Sequence, residues 1–237
     1  LKKEGFNEDI SGSQNDTAYV INLDKRPDRW SNMLKKFEHA PFILERFPAI
    51  ENSVGWKGCG MSHITLIQMA KDKSMPNILV MEDDCKPSND FNRSWSLIKK
   101  WLDNNKDRWD IFIGGNSYYG SIFTSNTDKH LDTIKPICII SSNIKLYYTK
   151  MLTTGFYYMN HSTYDRFLEW KKDIDKNGAI DIWPNIIQMK IISCTPFIAT
   201  QDNTFSDIEN GHKNYESPFK ESEQVIDSIQ NNSVCDT

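Results

Sequence analysis

Residues 77 to 84 read Asn-Ile-Leu-Val-Met-Glu-Asp-Asp, four consecutive apolar side chains closed by three acids. Successive side chains of a strand point to opposite faces, so a half-exposed strand shows a polar residue at every second position. Ile78, Leu79, Val80 and Met81 leave no polar face, and a strand of that kind is buried on both sides. Helices must then cover a sheet from above and below. The flanking sequence supplies both kinds of element. Ala18 to Leu23 and Phe42 to Phe47 are β-prone, and Pro27 suits the first turn of a helix carrying Trp30, Met33, Leu34 and Phe37. Cys59 to Lys71 is helical by pattern, with Ile64, Ile67, Met69 and Ala70 apolar. Trp95, Ile98, Trp101 and Leu102 mark a further helix, Trp109 to Ile113 a strand ending at Gly114-Gly115, and Gly155 to Met159 another strand. A helix opened by Ser162 and a shorter one over Ile182 to Met189 follow. This alternation predicts an α/β fold with a mostly parallel central sheet flanked by helices, Rossmann-like in its first half. Ligands of such sheets sit beyond the carboxyl ends of the strands.

The chain divides by pattern into a flexible extension over residues 1–16, a domain over 17–215 and a polar tail over 216–237. At 237 residues one domain with a full core is expected. With 12% aromatic residues the chain is too aromatic to remain disordered. A net charge of −4 gives no basic field for nucleic acid, so any bound phosphate must be held by a few local groups and a cation. No apolar run reaches the roughly 18 residues that span a bilayer, and no signal-peptide core opens the chain. A soluble protein is expected, the cytoplasm being favoured over a secretory lumen. Cys59, Cys85, Cys138, Cys194 and Cys235 are scattered, without zinc or disulfide spacing, and are expected to be mostly reduced. Asn15, Asn92, Asn160 and Asn231 each begin an Asn-x-Ser/Thr triplet.

Glu82, Asp83 and Asp84 stand at the strand end where a ligand would bind, and three like charges there require a counter-charge. A hard divalent cation, Mn²⁺ or Mg²⁺, takes oxygen ligands and can bridge carboxylate to diphosphate. Asp84 is the first candidate ligand, with Glu82 on the same side two residues back. The competing reading is a solvated acidic turn. At the end of the first strand, Asn22, Leu23, Arg26 and Arg29 can set a polar group, an apolar surface and cations beside a nucleotide, unless the arginines merely pair with Asp24 or Asp28. Gly58 and Gly60 would allow close backbone approach to a phosphate, and Ser62 can cap a helix or donate to the ligand. His63 follows in what reads as a first turn.

Taken in order, Val20 to Trp30, Gly58 to His63, Glu82-Asp83-Asp84, Gly155 to Tyr158, Asp181 and Gln201 through Ile208 resemble the landmarks of glycosyltransferase family 25. The resemblance covers about Tyr19 to Ile208. It implies a GT-A-type fold, a UDP-sugar donor carrying galactose or glucose, Mn²⁺, a glycan or glycoprotein acceptor, and inversion at the anomeric carbon. Under it His63 falls in a matched Ser-His pair, and Asp181 becomes the first candidate for general base, with Asp83 second. An ordinary helix N-cap is the alternative for Asp181. Asp207 or His212, late in the matched region, would return a metal ligand to the site. Residues 116–154 match little. Other readings are a catalytically silent nucleotide-sugar or glycan-binding domain, and a nucleotidyltransferase, which would normally show a glycine-rich loop where Asp24-Lys25-Arg26-Pro27 stands.

Overall fold

The computed structural model describes residues 16–120, 131–141, 143–207, 211–212 and 214–235. It opens with strand β1 (Asp16–Asn22), helix α1 (Pro27–Lys36), strand β2 (Phe42–Pro48), helix α2 (Gly55–Asp72) and strand β3 (Asn77–Glu82). Strand β4 (Cys85–Pro87), helix α3 (Phe91–Asn104), strand β5 (Ile111–Ile113), a hairpin of β6 (Lys135–Ser141) and β7 (Ile144–Tyr148), and strand β8 (Phe156–Asn160) follow. Short helices α4 (Tyr164–Leu168), α5 (Ile174–Asn177) and α6 (Trp183–Ile186) lead to strand β9 (Ile191–Thr195). The chain closes with strands β10 (Ala199–Gln201), β11 (Phe205–Ser206) and β12 (Gly211–His212) and helix α7 (Glu216–Ser228).

One sheet runs β2-β1-β3-β8-β5-β9-β7-β6. β1 is parallel to β2 and β3, and β5 to β9, while β8 and β7 run against their neighbours. Six of the eight strands therefore point one way, the mostly parallel helix-flanked α/β sheet that the alternation predicts. The unbroken apolar run of β3 is divided between two cores. Leu79 and Met81 pack with Ala18 and Val20 of β1 beneath α1 and α3, whereas Ile78 and Val80 pack with Tyr19 and Ile21 beneath α2 and α4. Each such side chain contributes about 1.5–3 kcal/mol by leaving water.

Several expectations need correction. α2 starts at Gly55, a turn before the expected Cys59, because Gly58 and Gly60 are tolerated in a helix whose neighbours demand the absence of a side chain. His63 is thus well inside α2. The helix expected to open at Ser162 is preceded by a 3-10 turn capped by Asn160, whose side chain accepts from the Ser162 N–H. Residues 216–237, expected as a polar tail, instead carry α7, whose Phe219 and Ile226 are buried with Tyr119, Ile134, Tyr147 and Phe197 in a third core. Cys138 and Cys235 form a disulfide, so the expectation of reduced cysteines holds only for Cys59, Cys85 and Cys194. Nearly 100 residues of intervening chain hid that pairing from any spacing argument. Asn160 and Asn231 are buried, which removes their triplets as acceptor sites, and Asn92 lies on α3. Residues 1–15 of the expected extension lie outside the described residues.

Candidate active site

β1 and β3 are adjacent and parallel, so their carboxyl ends place Asn22-Leu23 beside Glu82-Asp83-Asp84. The start of β8 lies next to the same edge, with the Glu82 N–H donating to the Gly155 carbonyl at 3.1 Å. A cleft opens here, lined by Leu23, Arg29, Ser62, Glu82, Asp83, Asp84 and Asp207 among the expected residues, and by Lys25, Ala49, Ile50, Asn52 and Tyr215 besides. Gly55, the first residue of the 18-residue α2, also lines it, and no side chain caps that helix end. A helix N-terminus of this kind favours an anion.

The three acids have different surroundings. Asp83 has both oxygens engaged: Arg29 NH1 donates to Oδ1 at 2.7 Å and Asn22 Nδ2 to Oδ2 at 2.7 Å. Its carboxyl is nonetheless raised by burial, only partly opposed by Arg29. Glu82 Oε1 accepts from Thr154 Oγ1 at 2.6 Å and lies 3.3 Å from His63 Nε2. Burial would raise the Glu82 carboxyl, but His63, Thr154 and Arg29 together hold it below its ordinary value. Asp84 is buried with only Gln201 Nε2 at 3.3 Å and Arg29 at 4.0 Å, and burial plus the charges of Glu82 and Asp83 push it up to about 7.

The remaining expected residues divide between the cleft and its supports. Asn22 is a buried hub, donating to Asp83 and to the Arg26 carbonyl and accepting from Arg46 Nε at 2.7 Å. Arg26 pairs with Asp28 and, at 2.5 Å, with Asp207. Its pairing with Asp28 is one of the alternatives left open above. Gly58 serves packing rather than phosphate approach, since a Cβ there would stand 2.5 Å from the Ile50 carbonyl oxygen; Gly60 is closed off in the same way by the Trp170 ring. The Ser62 hydroxyl accepts from the Ile50 N–H and donates to the Gly58 carbonyl, pinning the loop that lines the cleft. His212 pairs opposite Phe205 in a two-stranded ribbon and is exposed, away from the cleft-lining set. Asp181 also lies outside that set. α6 begins at Trp183 without a side-chain cap, so the N-cap alternative for Asp181 fails. Asp181 Oδ1 is buried without a hydrogen-bond partner, and burial with the Glu82 charge pushes the carboxyl up to about 6.

Sequence reasoning took Gln201, Tyr157 and Cys59 only as members of matched motifs and did not single out Thr154, yet all four touch or adjoin the acids. Gln201 and Thr154 are 117 and 72 residues from their carboxylate partners, and no local pattern signals such contacts. Tyr157, with Tyr119, Tyr158 and Trp183, is buried in the core.

A helix-flanked α/β sheet with a carboxylate-lined cleft at its strand ends belongs to the class of open α/β folds whose ligand crevice lies beyond the carboxyl ends of the strands. The family profile described as glycosyltransferase family 25 (LPS biosynthesis protein) matches residues 52–183, more than half of the chain, and the chain belongs to that family. It is 23% identical to a glycosyltransferase 25 family member of Aedes aegypti, covering 50% of this chain but only 28% of that protein's length. Among solved structures, a glycosyltransferase involved in the glycosylation of the major capsid of PBCV-1 is similar at TM-score 0.43 and 10% identity over 73% of each chain. Mouse xyloside xylosyltransferase 1 is similar at TM-score 0.35 and 10% identity, over 73% of this chain and 63% of its own. Likenesses this distant carry no argument about activity. No helix among the described residues is long and apolar enough to cross a membrane.

Proposed function

We propose that this chain transfers a hexose, galactose or glucose, from a UDP-sugar to an acceptor hydroxyl on a glycan or glycoprotein, with inversion and with Mn²⁺ dependence. The observation that carries the reading is the row Glu82-Asp83-Asp84 at the end of β3, lining a cleft with Arg29 and the uncapped start of α2, in a member of this family. Leu23, Ala49 and Ile50 supply an apolar shelf suited to a nucleoside, and Lys25 a cation at the rim. A hard divalent ion fits the donor set. Burial, with the like charges of Glu82 and Asp83, raises the Asp84 carboxyl against the opposing charge of Arg29, and a bound cation would relieve that repulsion. Asp84 would hold the ion, with Asp207 of the same cleft; when bound, the ion would neutralise charge on the departing diphosphate.

Asp181, which stands behind the cleft-lining residues but close enough to act on Glu82 and Cys59 among them, is the proposed base: a carboxyl raised to about 6 is closer to the acidity useful for proton transfer near neutral pH than an ordinary aspartate. It takes the proton of the acceptor hydroxyl as that oxygen attacks the anomeric carbon and UDP leaves. Asp83, the second candidate, is instead the anchor that holds Arg29 in place. The Cys138–Cys235 disulfide supports an oxidising compartment over the cytoplasm.

The test is thermal stability and turnover with UDP, UDP-galactose and UDP-glucose, with and without Mn²⁺. UDP should raise the melting temperature markedly more with Mn²⁺ than in chelator, because binding stabilises the native state by mass action. Asp84→Asn should lose that increment, and sugar release or transfer should be lost with it. Binding in wild type without any sugar release or transfer would favour the silent binding domain instead.

A further inference from the structure

Cys59 and His63 stand four residues apart on α2, hence on one face of the helix, and that face meets the end of β3. The Cys59 thiol, a His63 ring nitrogen and a Glu82 carboxylate oxygen all lie within 4.8 Å of one another. We propose that Cys59, His63 and Glu82 form a three-ligand site for a thiophilic divalent ion of the zinc type, separate from the hard-cation position at Asp84.

The donor set is the first argument. Sulfur and imidazole nitrogen favour Zn²⁺ and Co²⁺ over Mn²⁺ and Mg²⁺, which prefer oxygen. Bonds of about 2.0–2.3 Å place tetrahedral ligand atoms about 3.5 Å apart, so the three groups need to close by only about an ångström around an ion. The second argument is the support behind the ligands. The Tyr157 hydroxyl lies 3.0 Å from His63 Nδ1, and Nε2 is the nitrogen turned to Glu82 at 3.3 Å. The Thr154 hydroxyl donates to the same Glu82 oxygen, Oε1, at 2.6 Å. Partners of this kind fix ring orientation in metal sites. Finally, Cys59 and Glu82 line the cleft, so the cluster adjoins it, with His63 buried behind them. Sites with three protein ligands and an open position are those that exchange water or substrate.

None of this rests on the choice of donor sugar or on transfer activity. The test is a titration of the full chain with Co²⁺, without reductant so that the Cys138–Cys235 bridge stays closed. We expect a thiolate-to-cobalt charge-transfer band in the near ultraviolet, with the visible bands of a low-coordinate ion, saturating at one equivalent. Zn²⁺ should bleach both, and about a hundredfold excess of Mn²⁺ should not. Cys59→Ala should abolish the charge-transfer band while circular dichroism stays that of the folded protein. Tyr157→Phe, which keeps the ring and loses the hydroxyl, should keep the band and weaken cobalt binding by about 10–100-fold. Absence of the band at saturating Co²⁺, or its survival in Cys59→Ala, overturns the site. An unchanged cobalt affinity in Tyr157→Phe removes the oriented His63 from the ligand set and overturns it as well.

Discussion

Burial and the neighbouring Glu82 carboxylate push Asp181 up to about 6, and this has two readable consequences. A carboxyl whose folded value exceeds its unfolded value of about 4 helps the fold while protonated, and that help is lost as pH rises through about 6. Asp181→Asn should therefore match wild-type stability near pH 4 and exceed it at pH 8, by about 3 kcal/mol. Chemical denaturation at the two pH values reads this directly. If Asp181 is also the base, the same variant should keep its UDP affinity and lose about 10²- to 10⁴-fold in single-turnover transfer. Wild-type turnover should rise with pH through about 6. A variant of ordinary turnover would exclude Asp181 as the base while leaving the stability effect intact. Asp83 shows how one residue type can serve a different end, next in sequence to Glu82: with Arg29 and Asn22 on its two oxygens, it builds the wall of the cleft.

α2 gathers more of the site than any other helix, and its packing depends on having nothing at two positions. Gly60 faces the Trp170 ring so closely that a Cβ would collide with it, and Trp170 is itself fully buried with its indole N–H donating to the Gly178 carbonyl at 2.9 Å. The ring has no room to retreat. Gly60→Ala should gain a little helix propensity but lose more to overpacking, a net cost of about 1–3 kcal/mol. Urea denaturation would show it, and a stabilised variant would mean that α2 and the 3-10 turn at Glu169–Lys172 can separate without cost. The helix was legible from Ile64, Ile67 and Ala70, yet its start was not, because glycine signals a breaker unless the neighbour filling its space is known.

Across the molecule, β6, β7 and β9 extend the sheet past β5, and α7 covers that end with Phe219 and Ile226 buried. The disulfide from Cys138 in β6 to Cys235, 97 residues later, ties the C-terminal segment to the edge strand, where Ile139 also pairs with Val234. α7 is preceded by Tyr215, which lines the cleft, so this closure reaches the site. Cys235→Ser should lower stability by about 2–4 kcal/mol, and reduction of the wild type should produce a similar loss. Thiol titration of denatured, unreduced protein should find three free cysteines, Cys59, Cys85 and Cys194. Five titratable thiols, or a Cys235→Ser variant as stable as wild type, would refute the bridge.

What the sequence determined by itself was local and periodic. An apolar run without alternation required a sheet covered on both faces; the acids behind it marked the edge that would meet a ligand; the ordered motifs from Val20 to Ile208 marked the family. Such features are carried by neighbours along the chain, where spacing is information. Tertiary structure alone decided which partner each acid has, because Arg29, Gln201, Thr154 and His63 reach Glu82, Asp83 and Asp84 from separate elements. It also decided that Gly58 and Gly60 serve packing, that His212 stands outside the cleft, and that the polar C-terminal stretch is a docked helix. α7 hides few apolar residues among many polar ones, and only the hydrophobic surface waiting on β7 and on the segment at Phe197 gives those few a place to be buried.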